Sequence, residues 1–396
     1  MAEWVEKSLG EVTSYIAKGI PPQYTEKYSE NVIYVLNQKC NRDFSVSYEQ
    51  ARLHDLSKKK IAEEKMLKSG DVLINSTGEG TAGRVAQLWN IPSQTTVDGH
   101  MIILRPTSEV DTLYYGYAIK AQQFMIESLA EGSTGQTEIN RKRLQEEITI
   151  SYPKDKKKQL SIAKILEEID KKIEVNNQIN RNLSEQASAY YENWIMSLTG
   201  EEVELSKVID VRDGTHASPK PQDEGYPLVT SKHLFEYDID LESPNKISQD
   251  DYDKINERSK VAYHDVLMSM IGTVGVVSFI SRQEINFAIK NVALFRTSQR
   301  EELAYYFLLF LKSKDAQQYI KSCMAGSTQQ YISLSELRKI PIIVPGKEIK
   351  EFNLVVKPII DMICANVREN RRLSELRDTL LTKLMSGELD VSNLDI

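Results

Sequence analysis

The sequence predicts an α+β fold: two pseudo-symmetric α+β domains separated by two long antiparallel coiled-coil helices. Three observations carry this expectation. Short strings recur in the same order at nearly one offset, close to half the chain length. Each copy runs from a mixed segment of short strand-like runs and turn signals into a polar, helix-forming segment. Both helix-forming segments hold an apolar seam at alternating steps of four and three. Strands and helices do not alternate in the βαβ manner, so a doubly wound parallel sheet is not expected.

The repeat rests on four anchors. GDVLINSTGEGTAGRVA from Gly70 matches HDVLMSMIGTVGVVS from His264, and GSTGQT at Gly132 matches GSTQQY at Gly326; both pairs are 194 residues apart. ITISYP ends at Pro153 and IPIIVP at Pro345, while NRNLSE begins at Asn180 and NRRLSE at Asn370. The expected boundaries are a first mixed domain over 1–153, a helix over 154–199, a second mixed domain over 200–345 and a terminal helix over 346–396. Inside the mixed parts, LYYGYAIKAQQFMIESL and LAYYFLLFLKSKDAQQYI read as matching amphipathic helices.

The first seam runs through Ile162, Leu166, Ile169, Ile173, Asn176, Asn180 and Leu183, continuing to Ala187, Tyr190 and Trp194. The second runs through Phe352, Val356, Ile359, Ile363, Asn366, Asn370 and Leu373, continuing to Arg377, Leu380 and Leu384. The same two seam positions are asparagine in both copies. A seam asparagine costs stability and fixes register. In an antiparallel pair the two sets of asparagines meet at the centre, and Gly387 is a natural helix stop. About 40 residues at ~1.5 Å each give a bar of roughly 60 Å with one domain expected at each end.

Composition bounds the function. Of the 396 residues, 41% are apolar and 27% charged, which excludes a disordered or collagenous chain. The longest apolar run, LAYYFLLFL, is far short of the ~20 residues of a membrane span. The N-terminus lacks the pattern of a signal peptide, so a cytoplasmic protein without membrane contact is expected. Three scattered cysteines, Cys40, Cys323 and Cys364, read as reduced thiols. Neither HExxH nor HxxxH spacing occurs, so no metal site is expected. Gly78, Gly80 and Gly83 spell GxGxxG, but RVAQLW behind them reads as a strand, so a tight turn is expected rather than a dinucleotide site. Pro21-Pro22 with Tyr24 is preceded by Ile20, where an adenine methylase needs Asn or Asp. Nothing in the sequence points to catalysis or to a cofactor of its own.

The motifs GDVLINSTGEGTAGRV with its copy, GSTGQT with GSTQQY, RDGTHASPKPQDEGYPLVTSKHL from Arg212, the long helix after SYPK or IVPG, and KLMSGEL from Lys383 form an ordered, duplicated set. This set resembles the specificity subunit of type I restriction-modification systems, over nearly the whole chain. The resemblance implies two target recognition domains, each reading one half of a split double-stranded DNA sequence. It implies partners: two methyltransferase subunits and, optionally, two restriction subunits. S-adenosylmethionine, ATP and Mg would then belong to those partners. A coiled-coil adaptor without DNA readout and a divergent DNA methyltransferase remain the alternative readings.

Net charge is −7, and neither mixed domain is basic: the first has 17 basic and 20 acidic residues, the second 17 and 21. Bulk attraction to phosphate is therefore weak, and a reader held on DNA by basic partners is expected. Ser133, Thr134 and Gln136 recur as Ser327, Thr328 and Gln330; an element common to two unlike heads suits backbone positioning. Base reading belongs where the heads differ. The candidates are Tyr24, Lys39, Arg42 and Ser45 in the first head, and Thr215, His216, Lys220, Ser231, Lys232 and His233 in the second. Arg84 and Arg282, near the glycine turns, complete the set.

Overall fold

The computed structural model describes residues 3–132 and 137–391. The chain divides into two compact units, Met1–Lys171 with Leu373–Ile396, and Lys172–Arg372. Each unit therefore owns one mixed segment and a stretch of each long helix. No helix among the described residues is long and apolar enough to cross a membrane.

In the first unit the central antiparallel sheet has the order Thr13–Lys18, Met101–Pro106, Val72–Asn75, Val85–Gln87. In the second the order is Val211–Asp213, Val292–Phe295, Val266–Ser269, Val277–Phe279. These are the same four chain positions in the same spatial order. Beside each sheet lies a parallel pair: Thr95–Val97 on Val32–Leu36 in the first unit, and Ala288–Ile289 on Tyr226–Val229 in the second. A further antiparallel pair closes each unit, Trp4–Ser8 with Thr149–Pro153 and Glu202–Glu204 with Pro341–Ile343. The strands Val72–Asn75 and Val266–Ser269 are buried at every position. Covered on both faces, they read as continuous apolar runs rather than alternating ones.

The internal helices depart from expectation by breaking in two. Thr112–Ala121 is followed by Gln123–Ser128, and Ala304–Lys312 by Lys314–Ser322. In the second unit the break is Ser313, whose extended backbone and side chain cap the next helix by accepting from the Ala316 amide. Residues 304–311 are all buried, so that helix is core on every side rather than amphipathic.

The long helices are Lys156–Ile195 and Ile349–Met385. Within the first unit Ile162 and Leu166 share one core with Leu381 and Leu384, and Asp170 accepts from Arg377 at 2.9 Å. Within the second unit Asn180 faces Asn366 and Asn176 faces Asn370, while Trp194 lies 4.3 Å from Phe352 between ring centroids. Four residues up one helix are four residues down the other, so the pairing is antiparallel. Ile169, Ile173, Leu183, Ile359 and Leu373 are half-buried, and Val356 and Ile363 are buried. The second helix ends as expected: Gly387 turns left-handed at φ 76°, and the Leu389 amide returns to the Lys383 carbonyl.

Candidate nucleic-acid interface

The loops where the two sequences look least alike share one construction. In the first unit, strand Val32–Leu36 runs into a tight turn, Gln38–Cys40, and then a hairpin, Asn41–Arg42 with Ser45–Val46. In the second, Tyr226–Val229 runs into Ser231–His233 and the hairpin Leu234–Phe235 with Asp238–Ile239. Both turns are capped reciprocally. The Asn37 amide donates to Cys40 Sγ at 3.5 Å, and the Thr230 amide donates to His233 Nδ1 at 2.9 Å. A thiol and an imidazole thus do one job, which hides the correspondence from a comparison of side chains. It places Lys39 and Lys232 at the same turn position; both are exposed.

The hairpins are pinned in parallel ways. Buried Asn41 donates to the Arg84 carbonyl at 2.9 Å and to Asn75 Oδ1 at 3.2 Å. At its tip Asp43 and Phe44 are both left-handed, as a two-residue hairpin turn requires. This leaves Arg42 and Ser45 exposed as register partners. Lys120 lies over the Phe44 ring at 6.0 Å, and in the second unit Lys312 lies over the Tyr237 ring at 4.5 Å. Tyr24 stands beside the loop, with the Arg52 guanidinium 3.5 Å above its ring. Arg52 was not among the sequence candidates; its strand partner Val35 is distant in sequence, so only the folded sheet brings it here.

Several candidates have protein partners. Half-buried Arg84 donates to the Gly80 carbonyl at 3.1 Å and braces the glycine turn. That turn is sterically forced: a Cβ on Gly83, at φ 90°, would sit 2.8 Å from the Glu127 backbone nitrogen. Arg282 donates to Asp238 at 3.2 Å, tying a loop to the second hairpin. His216 is exposed, but its two ring nitrogens lie 2.7 Å from Asn291 Oδ1 and 3.0 Å from Asp213 Oδ2. Thr215 Oγ1 accepts from the Ala217 amide, and Ser231 donates to the Asn291 carbonyl at 3.4 Å. His233 is only 3% exposed, and burial, reinforced by Lys232, pushes its pKa down. Lys220, Lys232 and His233 line one cavity in the second unit.

Ser327, Thr328 and Gln330 sit in an exposed turn closed by the Ala325–Tyr331 bridge, and the Gln330 carbonyl accepts from the Gly272 amide at 2.9 Å. Ser133, Thr134 and Gln136 lie outside the described residues. Their flanks pair as Ala130–Glu131 with Glu138–Ile139, and Glu138 bridges to Thr77 beside the glycine turn.

The asparagine seam is a hydrogen-bonded cluster within the second unit. Asn176, 1% exposed, donates to Asn370 Oδ1 at 2.8 Å and to Glu369 at 2.7 Å. Asn370 donates in turn to Asn177, and Asn366 to Asn180. The Asn176 amide holds the Glu369 carboxyl below its ordinary pKa. Among the described residues no group of three or more His, Cys, Asp or Glu is placed to hold a metal. Cys40, Cys323 and Cys364 are free thiols, and burial pushes Cys364 up to about 11.

The comparisons with known proteins agree with the duplication. The family model for the type I restriction modification DNA specificity domain matches twice, at residues 1–185 and 199–354. The chain is 25% identical to the type I restriction enzyme MjaIX specificity subunit of Methanocaldococcus jannaschii, covering 99% of this chain and 95% of that one. It is 23% identical to the HindI specificity subunit of Haemophilus influenzae, covering 98% and 100%. Its fold is that of the S subunit of a type I restriction-modification system from M. genitalium, with a TM-score of 0.57 at 18% identity over 99% and 97% of the two chains. The chain belongs to the type I restriction modification DNA specificity family.

Proposed function

We propose that each unit reads one half of a bipartite, asymmetric DNA target. The chain also scaffolds two methyltransferase subunits and, in a restricting complex, two restriction subunits. One observation carries the reading. The two units share strand order, parallel pair, capped turn and pinned hairpin, yet present unlike side chains on those loops. Two copies of one scaffold with different loops suit two different half-sites; identical loops would suit a palindrome.

The paired long helices then set the spacer between half-sites. Adenine methylation and cleavage, with S-adenosylmethionine, ATP and Mg, lie on the partners, and the complex works in the cytoplasm. The acidic balance of the chain fits a reader whose phosphate affinity comes mostly from those partners. Lys39 and Lys232, matched in both units, are proposed as backbone contacts; Tyr24, Arg42, Ser45 and Lys220 as contacts peculiar to one head. Co-expression with a methyltransferase subunit of the same system, followed by long-read mapping of methylated adenines, tests this. A split asymmetric motif is expected. A palindromic motif, or none, would refute it.

A further inference from the structure

We infer that the second unit, and not the first, carries a seat for a single DNA phosphate, formed by Lys220, Lys232, Lys290 and His233. This rests on the proposal that the unit reads DNA. The cavity of about 450 Å³ lies between residues 218–221, strand Tyr226–Val229 and the capped turn. Among the described residues no carboxylate lines it, although the chain has more acids than bases. Lys290 Nζ donates to Ser218 Oγ at 2.6 Å, and its charge meets no acid among the described residues. Lys220 and Lys232 are exposed at the rim.

At the wall stands His233. Its Nδ1 accepts from the Thr230 amide, so its proton is on Nε2. That buried Nε2–H has no partner among the described residues. A buried donor without an acceptor is rare enough to need one from outside. An occupant that accepts at His233 and answers three ammonium groups is an anion with several oxygens. In a chain reading a DNA half-site, that anion is a backbone phosphate.

The first unit shows the contrast. Its capped turn has Cys40 where the second has His233, and the Ile20–Asp98 bridge occupies the place of the Thr215–Lys290 bridge. Asp98 thus takes the chain position of Lys290, buried and accepting from the His100 amide, so the first unit lacks the third ammonium of the seat.

The test uses the full chain in complex with its methyltransferase, and duplexes in which a neutral methylphosphonate is walked through the second half-site. Wild-type binding should fall about tenfold at one position. The K232Q/K290Q variant should bind unmodified DNA about tenfold more weakly, ignore the methylphosphonate at that position, and show a salt slope smaller by about one. Its methylated motif and melting temperature should match wild type, because neither lysine makes an ion pair among the described residues. An unchanged methylphosphonate profile in the variant would overturn the seat, as would an altered motif, which signals base reading. Micromolar binding of inorganic phosphate or AMP to the DNA-free complex, lost in the variant, would assign the pocket to a free ligand instead. A wild-type complex without sequence-dependent binding would remove the reader assignment, and the seat with it.

Discussion

The asparagine cluster predicts a non-additive mutant cycle. Asn176→Leu removes two hydrogen bonds, of 2.7 and 2.8 Å, from a side chain that is 1% exposed. It leaves Asn370 Oδ1 facing an apolar side chain in the seam. Asn370→Leu leaves Asn176 buried with Glu369 as its remaining acceptor. Each single change should cost about 1–3 kcal/mol, the range for stranding a buried polar group. For a unit of this size that is roughly 2–10 °C of melting temperature. The double variant N176L/N370L strands neither group of the pair and buries two leucines in the seam. Its melting temperature should return to within about 2 °C of wild type, or exceed it. The assay is calorimetry of the full chain, following the transition of the second unit. The functional companion is the methylated motif, whose spacer should become mixed in the double variant, because leucine does not pin register. A double variant that loses the sum of the two singles would refute the reasoning.

Three further predictions follow from other parts of the structure. Asp71, 2% exposed in its side chain, accepts from Arg105 at 2.7 and 2.9 Å, so Asp71→Asn should cost the first unit about 3–5 kcal/mol, whereas breaking the exposed Lys154–Glu3 pair should cost almost nothing by the same calorimetry. Burial depresses the pKa of His233 and His264, so each binds fewer protons folded than unfolded as pH falls through ~6.5; stability present above that pH is lost as pH falls, by up to about 1.4 kcal/mol per histidine per pH unit. Asp265, raised by burial, opposes this only at lower pH, and a second-unit transition that holds or rises between pH 7.5 and 5.5 would contradict the account. Duplicating the facing heptads 174–180 and 366–372 adds about 10 Å to each helix and should lengthen the mapped spacer by about three base pairs, so an unchanged spacer would count against helices as the ruler.

The duplication and the seam were legible because they are periodic. An offset of 194 residues and a four-three step survive without any knowledge of pairing. The asparagines were legible for the same reason, since polar residues at apolar positions stand out. The sheet order was not, because Val32–Leu36 meets Thr95–Val97 only through a non-local parallel pairing. The equivalence of the two reading loops was hidden by chemistry. Cys40 and His233 cap the same turn through different atoms, so a side-chain comparison sees nothing. Arg52 escaped notice because its value lies in stacking on Tyr24 across a sheet. Conversely Arg84, Arg282 and His216 carry the residue types of DNA readers, but fold brings each to a carbonyl, carboxylate or amide of its own unit.

The central claim, one unit per half-site, is tested most directly by exchanging one mixed segment. Residues 1–153 are replaced by the matching segment of a related specificity subunit with a different target, and the chimera is co-expressed with the methyltransferase. Long-read mapping of methylated adenines should then show one half of the motif changed and the other half and the spacer unchanged. A motif altered on both sides, or not altered at all, would contradict the account.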